Sequence, residues 1–283
     1  MNEPKVSVIV PAYNAEATIE DCVKSLLALD WPTDSLELVL VDDGSTDGTR
    51  GIIRSYPQVR LVEAKHEGPA AARNLGVKSS KGDVIIFTDS DCVVPKDWLK
   101  RVAAELDSVD AVGGSMKPSS ERSLAERFEQ ARRERLYGRA RKFVTELPSC
   151  NLAFKRGVFE EAGGFDEEFR NASAEDYDLC RKVTLKGHKI LYEPGIEIVH
   201  HHSQTLGRIF RRAYLHGSEI IRYKRKMGKS MAHEMARTAV KTVALPVIVL
   251  MRYPLGLAPL GLAYEALTVA GNVRGFIRLL RGG

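Results

Sequence analysis

Two closely spaced carboxylates follow a strongly apolar run in the first third of the sequence. Asp83–Asp91 reads DVIIFTDSD, in which four consecutive apolar residues precede Asp89 and Asp91, themselves separated by one residue. An uninterrupted apolar run is typical of a strand buried on both faces of a parallel sheet. Acids at its carboxyl end lie where open α/β sheets bind ligands. They suit Mg²⁺ or Mn²⁺ that also holds a diphosphate, although both acids could simply cap the next helix.

Two earlier strands are predicted to end at the same edge of the sheet. Val6–Val10 is a β-branched run closed by Pro11, and Leu36–Val41 runs into Asp42 and Asp43. Segments with helical spacing of apolar residues lie between the predicted strands. This alternation of strands and helices, which continues up to Asp91, predicts a parallel, doubly wound α/β sheet.

The chain changes character after Asp91. Ala111–Met116 predicts a strand loosened by Gly113 and Gly114, and the charged segment Glu121–Lys142 predicts a solvated helix or a mobile segment. Further elements are predicted at Cys150–Phe154, Arg156–Ala162, Asp176–Lys186, Lys189–Tyr192 and Ile196–Val199.

Composition narrows the cellular setting. The net charge of +5 is mild, and we expect no nucleic-acid partner. Four cysteines without a CxxC pair fit a reducing compartment and give no zinc signature. The first residues reach a strand-like run too early for a signal peptide, so chemistry is expected on the cytoplasmic side.

The last third of the chain combines a basic block with an apolar block. Leu206–Lys229 is basic and helical in pattern, whereas Thr238–Ala270 is apolar but interrupted by Arg252, Glu265 and prolines. A bilayer crossing needs about 18–20 uninterrupted apolar residues, which this block lacks. Two short helices, a kinked span or an interfacial hairpin on an anionic cytoplasmic leaflet remain open. The alternative is a buried helical hairpin or a homodimer interface.

Several motifs together resemble a known family. They are PAYN (Pro11–Asn14), VDDGSTDGT (Val41–Thr49), EGPAAARNLGVKSSKGDVIIFTDSD (Glu67–Asp91), AGGFDEEF (Ala162–Phe169) and AEDYDLCRKVTLKG (Ala174–Gly187). In this order they resemble family 2 inverting glycosyltransferases of the GT-A fold, over about residues 5–205. The resemblance implies a Rossmann-like, mixed, mainly parallel sheet sandwiched by helices. We expect a glycosyltransferase domain over residues 1–205, with donor half 1–115 and acceptor half 116–205, and a helical, apolar extension over 206–283.

The resemblance implies a donor site for a nucleotide sugar, with UDP as the expected nucleotide. Asp43 would accept a hydrogen bond from the uracil N3–H; its alternative role is to cap the next helix, which could equally fall to Asp42. Donor contacts are further expected from Pro11, Ala12, Tyr13, Arg73, Asp89 and Ser90. Tyr13 would stack on the base. Arg73, with the neighbouring Asn74, would lie near the diphosphate, although an arginine on a helix is often just solvated.

The same resemblance implies a divalent cation, Mn²⁺ or Mg²⁺, and a general base. Asp91 would bind the metal, and His200 is in phase with the inward-pointing Ile196 and Ile198, so it would be a further ligand. His202 is the alternative to His200. Asp176 matches the base position and would take the proton of the acceptor hydroxyl, whereas its acidic neighbours favour the start of a helix.

One departure from the family's processive members narrows the activity. The Q-x-x-R-W motif of processive members does not occur here, so transfer of a single sugar is expected. The acceptor is expected to be a glycan or lipid-linked glycan at the cytoplasmic face of the cell membrane. The alternatives are a non-catalytic nucleotide-sugar-binding or membrane-scaffold protein and, less favoured, a sugar nucleotidyltransferase.

Overall fold

The described residues form two compact units. The structure is a computed structural model that describes residues 4–119, 123–169, 174–201 and 205–280. The first unit comprises Met1–Ser119 and Arg139–His202, and the second comprises Ser120–Gly138 and Ser203–Gly283. Residues 120–138 therefore belong to the second unit, whereas the sequence analysis put them in the acceptor half of the first.

The described part of the first unit is built on one nine-stranded sheet. Its strands are β1 (Val6–Ala12), β2 (Leu36–Asp42), β3 (Arg60–Glu63), β4 (Val84–Thr88), β5 (Cys92–Val93), β6 (Ala111–Pro118), β7 (Lys142–Val144), β8 (Asn151–Lys155) and β9 (Ile190–His200). The order is β3-β2-β1-β4-β8-β6-β9-β5, with β7 also paired to β9. Pairing is parallel from β3 to β4 and between β6 and β9, and antiparallel where β8, β5 and β7 join. The predicted mixed sheet is confirmed.

Helices cover the sheet of the first unit. They are α1 (Ile19–Leu27), α2 (Thr49–Arg54), α3 (Pro69–Lys78), α4 (Trp98–Leu106), α6 (Arg156–Glu161) and α7 (Glu175–Leu185), with a 3₁₀ turn at Thr33–Ser35. Val8 and Val10 of β1 belong to a continuous buried cluster with Leu26 of α1 and Trp98 of α4. The burial of such β-branched runs against helices is the main force that holds this layer in place.

The two glycines of β6 tighten the sheet instead of loosening it. A Cβ at Gly114 would lie 1.7 Å from the carbonyl oxygen of Ile196, and one at Gly113 would lie 2.8 Å from the carbonyl oxygen of Asn151. The prediction of a loose strand was therefore wrong, because the missing side chains let neighbouring backbone approach. The pairing of β6 with β9 shifts register between Gly114 and Ser115, where β9 contains the three extra residues 194–196.

The amide of Asn151 ties four elements together. Its Nδ2 donates to the carbonyl oxygens of Ser115 at 2.9 Å and Ile196 at 2.8 Å, and its Oδ1 accepts from Trp98 Nε1 at 3.0 Å. Asn151 therefore joins β8 to β6, β9 and α4 directly beside the end of β4. Because the amide is buried, each of these hydrogen bonds is costly to lose.

The second unit consists of helices in its described part. They are α5 (Leu124–Tyr137), α8 (Leu206–Lys226), α9 (Met231–Arg252) and α10 (Ala258–Leu280), with a 3₁₀ turn at Leu255–Leu257. Helices α8 and α10 approach closely through glycines: a Cβ at Gly217 would lie 2.2 Å from the carbonyl oxygen of Thr268, and one at Gly271 would lie 2.1 Å from that of Tyr214. The predicted helical C-terminal extension is confirmed.

Helix α5 is anchored and only partly solvated. Ser123 and Glu126 form a capping box at its start. Phe128 is fully buried and stacks on Tyr253, with ring centroids 5.2 Å apart, and also meets Tyr264. The sequence predicted a solvated helix or mobile segment because its many charges outnumber the few apolar residues on the buried face.

Helix α9 is continuous through Pro246, contrary to the expectation that this proline would break the apolar block. The break falls at Pro254, between α9 and the following 3₁₀ turn. Over the described parts of the chain, no helix combines the length and apolar character that a bilayer crossing requires.

Candidate active site

The carboxyl ends of β1, β2 and β4 meet at one edge of the sheet. Ala12 pairs with Asp42, and Ile9 pairs with Phe87. Pro11 and Ala12 therefore end β1 at the same level as the acids that follow β2 and β4. Tyr13 projects from this edge, is 45% exposed, and stacks on His66 with ring centroids 3.9 Å apart.

Asp43 and Asp42 have different surroundings. Asp43 is buried, and its carboxylate accepts from the backbone N–H groups of Glu67 and Gly68, each at 3.0 Å. Asp42 accepts from Arg50 Nε at 2.7 Å and from the Ser45 N–H at 3.2 Å. The carboxylate of Asp42 is thus used within the turn and helix that follow β2. At the start of α2, the N–H of Thr49 donates to Asp47 and not to Asp42. Asp43 faces the loop before α3.

His66 is a neighbour of this site that the sequence analysis did not select. Its ring stacks on Tyr13, and its Nδ1 lies 3.4 Å from an Asp43 carboxylate oxygen. It lies in an irregular loop between β3 and α3, where one histidine has no periodic pattern that would mark it.

Arg73 joins the acid after β4 to the acids at the start of α7. Its side chain is buried, with Nη2 donating to Asp89 Oδ1 at 2.8 Å and Nη1 donating to Glu175 Oε1 at 3.2 Å. Asp176 Oδ1 lies 4.0 Å from the same Nη1. Burial disfavours the guanidinium, but the three carboxylates outweigh it and raise the pKa of Arg73. The alternative of a merely solvated arginine is therefore wrong.

Asn74 has a structural role. Its Nδ2 donates to the Phe165 carbonyl oxygen at 2.9 Å, and its Oδ1 accepts from the Phe165 N–H at 3.0 Å. These hydrogen bonds fix the turn that contains Gly164 and Phe165 against α3. They occupy the amide that the sequence analysis had placed near the diphosphate.

Asp91 and His200 are brought together by strand pairing. The short strand β5 pairs with the end of β9, so that Cys92 lies opposite His200. Asp91 Oδ1 and His200 Nε2 are 3.5 Å apart. His200 is 4% exposed, which confirms the inward phase predicted from Ile196 and Ile198. His202 lies outside the described residues.

The remaining positions of the acidic motif are partly exposed. Ser90 lies between Asp89 and Asp91 and is accessible at the sheet edge. Burial raises the pKa of Asp89 above its ordinary value; Arg73 opposes this, and Asp91 adds to it. Proximity of two carboxylates in a partly buried site favours a bound cation.

The side chains around His200 fit a divalent cation. Ligand atoms of Asp91, Cys92 and His200 lie within 4.8 Å of one another, as do those of Asp89, Cys150 and His200. Burial raises the pKa of the Cys92 thiol well above its ordinary value. The carboxylate oxygens and the imidazole nitrogen of these groups are ligands that suit Mn²⁺ or Mg²⁺.

The three acids at the start of α7 differ in burial and partners. Glu175 is buried and bonds Arg73, and Asp178 is buried and pairs with Lys182 at 2.8 Å. Asp176 keeps 22% of its side chain exposed, and its Oδ1 makes no hydrogen bond among the described residues. Of the three, Asp176 has the carboxylate that an incoming group could reach.

The fold and this edge define the class of protein. A sheet whose parallel strand ends present Tyr13, Asp43 and the Asp89–Asp91 pair beside an acidic helix start is the arrangement of GT-A-fold glycosyltransferases. The family model described as Glycosyl transferase family 2 matches residues 7–163, more than half of the chain. The chain belongs to glycosyl transferase family 2.

Curated relatives and solved structures agree with this assignment. Glycosyltransferase AglE of Haloferax volcanii is 28% identical over 221 residues, which is 75% of this chain and 71% of AglE. The chain spans less than half the length of several other curated relatives that it matches.

Two solved structures share the fold. Mannosyltransferase PcManGT of Pyrobaculum calidifontis, in complex with GDP-Man and Mn²⁺, superposes with a TM-score of 0.66 at 22% identity, over 98% of this chain and 88% of that one. S. aureus TarS 1-349 in complex with UDP-GlcNAc gives 0.57 at 21% identity, over 97% and 92%.

Proposed function

We propose that this protein is a metal-dependent, inverting glycosyltransferase that moves one sugar from a UDP-linked donor to an acceptor hydroxyl. The observation that carries the proposal is the position of Arg73, which bonds Asp89 on the donor side and lies 4.0 Å from Asp176 on the acceptor side. The buried guanidinium of Arg73 thus holds the donor-side carboxylate and the acceptor-side carboxylate close to each other.

The donor would lie across the ends of β1, β2 and β4. Tyr13 offers an exposed aromatic face for a base, next to Pro11 and Ala12, and Asp43 offers buried carboxylate oxygens to a ring N–H. TarS is described with UDP-GlcNAc and PcManGT with GDP-Man, so a nucleotide sugar is the common feature. A carboxylate acceptor at Asp43 suits uracil, whose N3–H is a donor; guanine also has a ring N–H donor, so the choice of UDP rests on the family resemblance.

A divalent cation would be held by Asp91 and His200, with Asp89 and Ser90 orienting the donor sugar and ribose. When bound, such a cation supplies a Lewis acid that neutralises the charge of the departing diphosphate. PcManGT is described with Mn²⁺, which supports the choice of metal.

Asp176 would act as the general base. Its carboxylate accepts the proton of the acceptor hydroxyl while that oxygen forms a bond to the anomeric carbon. The bond from this carbon to the diphosphate oxygen breaks in the same displacement, and the nucleoside diphosphate leaves with the electron pair. Attack opposite to the leaving group inverts the anomeric configuration.

The second unit supports an acceptor at the cytoplasmic face of the membrane. Helix α8 carries arginines in its first two turns and basic residues again from Arg222 to Lys226, and α9 exposes an apolar stripe that includes Val243, 85% exposed, and Met251, 82% exposed. Basic and apolar surfaces together suit an anionic leaflet. The same stripe could serve a homodimer.

A panel of nucleotide sugars tests the proposal. The full chain should hydrolyse or transfer from at least one UDP-sugar with Mn²⁺, and EDTA should abolish turnover. Saturable UDP-sugar binding without turnover on any acceptor would instead indicate a nucleotide-sugar-binding protein. The anomeric configuration of the product is to be determined by NMR. A product that retains the configuration of the donor would contradict inversion. Release from membranes by high salt alone would indicate peripheral attachment.

A further inference from the structure

The second unit contains a cavity of about 660 Å³ between α8, α9 and α10. Part of its wall is apolar and is formed by Ile220, Val240, Ala244 and Ile248. Another part is cationic and is formed by Lys224, Arg237, Lys241 and Arg252. A mixed wall of this kind suits a ligand that has an anionic head and an apolar body.

The first pair of cations surrounds a buried carboxylate. Glu234 is 2% exposed, and Lys224 Nζ lies 2.6 Å from its Oε2 while Arg237 Nη1 lies 3.3 Å from its Oε1. Burial alone would raise the pKa of Glu234, but Lys224 and Arg237 lower it, so the carboxylate is ionised at neutral pH. One positive charge remains at this end of the cavity.

The second pair repeats the arrangement. Glu265 is 3% exposed, and Lys241 Nζ lies 2.7 Å from Oε2 while Arg252 Nη1 lies 3.1 Å from Oε1. Four lining cations are therefore paired with two carboxylates, which leaves two positive charges. His216 and His233 also line the cavity. The surplus favours an anion of about two negative charges, such as a phosphomonoester.

An unsatisfied amide points to a ligand independently of the charges. Asn272 of α10 lines the cavity, is 7% exposed, and has an Oδ1 that makes no hydrogen bond among the described residues. A buried polar atom without a partner is costly, and a bound polar group would remove that cost. The oxygen accepts hydrogen bonds, so as placed it would take the hydrogen of a P–O–H or hydroxyl group of the head; rotated about its terminal bond, the same amide would donate N–H groups to a phosphate oxygen.

The apolar wall continues onto the outer surface of α9. Val240 lines the cavity and is itself 69% exposed, and Val243 and Val247 follow at helical spacing with 85% and 62% exposure. Chains that leave the cavity would therefore meet an apolar surface at once. A water-soluble phosphate has no apolar part that could contact this stripe, whereas a membrane lipid has apolar chains that could cover it.

We propose that this cavity binds the phosphate-bearing head of a membrane lipid, with its chains along the apolar stripe of α9. The lipid class follows from the charge surplus, the amide and the adjoining stripe. The inference goes beyond the proposed function and does not assign the lipid as the sugar acceptor. Binding itself requires neither the sugar donor nor its metal.

Titration of the full chain with monomeric short-chain lipids tests the site without a bilayer. Calorimetry with dihexanoyl phosphatidic acid should give saturable binding, while dihexanoyl phosphatidylcholine and inorganic phosphate bind at least about tenfold more weakly. Equal affinity for inorganic phosphate would overturn the lipid assignment. Equal affinity for phosphatidylcholine would overturn recognition of the phosphomonoester.

Matched variants locate the binding. Ala244→Phe fills the cavity, and we expect the affinity for phosphatidic acid to fall by about tenfold or more. Ala239→Phe makes the same change at an exposed position of α9 outside the cavity lining and should bind like the unchanged chain. If both variants bind equally, the ligand is not in the cavity.

A second pair separates local from general charge effects. Arg237→Gln removes a cavity cation that is 64% exposed, so folding should tolerate it, and affinity should fall several-fold. Arg211→Gln removes an exposed cation of α8 that does not line the cavity and should change little. If both variants lose the same affinity for phosphatidic acid, the loss reflects the net charge of the protein, and the proposed site is contradicted. UDP binding, measured in parallel, should be unaffected by either change, so failure here is distinct from failure of sugar transfer.

Discussion

The two units pair buried carboxylates with cations in opposite proportions. In the first unit, the single guanidinium of Arg73 lies among Asp89, Glu175 and Asp176, and Asp91 adds a further acid after β4. Negative groups are in excess there. Such a cluster lacks positive charge, which a divalent cation would supply.

The second unit shows the reverse. The buried carboxylate of Glu129 lies 3.1 Å from Arg132, 3.3 Å from Arg212 and 4.0 Å from Arg133. Two further buried glutamates each have two cations, as described for the cavity. Positive groups are in excess there, and anions are the matching ligands.

The difference indicates a division of labour between the units. Burying a charge without a partner is costly, so the partly buried acids of the first unit favour a bound cation, whereas the surplus cations of the second unit reach solvent, Arg237 with 64% of its side chain, and attract anions. The excess of acids in the first unit suits a cationic ligand there, and the excess of cations in the second unit suits an anionic ligand there.

The largest effect is expected from Asp176→Asn. The amide keeps the shape but cannot take a proton, so the transfer rate should fall about 10³-fold, as for loss of a general base. UDP affinity, measured by calorimetry, should stay within a few-fold. The exposed Glu160→Gln serves as a control for loss of one acid. Retained transfer would remove Asp176 from the role of base.

Arg73→Gln should destabilise the first unit most. It leaves Asp89 and Glu175 without their buried cation, so the free energy of unfolding should fall by about 3 kcal/mol or more. Arg101→Gln removes an arginine whose side chain is 52% exposed and should cost no more than about 1 kcal/mol. Adding Glu175→Gln to Arg73→Gln should restore part of the loss in urea unfolding. Strictly additive losses would contradict the coupling.

Glu129 should make the stability of the second unit depend on acid pH. Burial would raise its pKa, but Arg132 and Arg212 dominate and lower the pKa from 4.5 to about 2. The ionised carboxylate then stabilises the folded state above pH 4.5, and this contribution is lost as pH falls from 4.5 toward 2. The shift corresponds to about 3 kcal/mol.

Unfolding of Glu129→Gln at several pH values measures this contribution. At neutral pH the variant should be less stable than the unchanged chain, and the difference should shrink steadily below pH 4.5. Glu160→Gln, on an exposed surface of α6, should show no such convergence. A difference that is constant with pH would show that Glu129 stabilises by packing alone.

Asp91→Ala should have a smaller effect that is confined to the metal. UDP affinity in the presence of Mn²⁺ should fall about 10- to 100-fold, the range seen when a metal site loses an oriented group. Affinity in EDTA should be unchanged, because Tyr13 and Asp43 do not need the cation. The comparison with and without Mn²⁺, by calorimetry, is therefore the measurement. An equal loss in EDTA would indicate a direct contact with the nucleotide.

The sequence was sufficient for the elements whose signal is local. Apolar runs such as Val84–Phe87 and strand–helix alternation predict β1, β2 and β4, because these strands are mostly buried on both faces. The phase of His200 followed from the alternation of Ile196 and Ile198. These patterns involve only neighbouring residues.

Other features depended on partners that are distant in sequence. Helix α5 was assigned to solvent because the aromatic partners of Phe128 lie more than a hundred residues further on. Gly113 and Gly114 read as loosening residues because the backbone that fills their space belongs to β8 and β9. No local pattern shows which strand will approach a glycine.

The candidate site divides in the same way. Recognisable motifs contain Asp43, Asp89, Asp91 and Asp176. The burial of Arg73 and its hydrogen bond to Glu175, in contrast, depend on how α3 and α7 pack, which no motif shows. His66 and Asn151 carry no motif at all. Sequence alone selected groups that could do chemistry and missed those that hold them in place.

Strand β9 has a consequence for the order in which the site can assemble. It is the last strand of the sheet in the chain, yet it lies between β6 and β5 in the sheet order, and it brings His200 to Asp91 from 109 positions away. Contacts between residues so far apart form late, after shorter loops have closed. During synthesis, the nucleotide side around Asp43 can therefore form while β9 is still inside the ribosome, and the metal side must wait for residue 200.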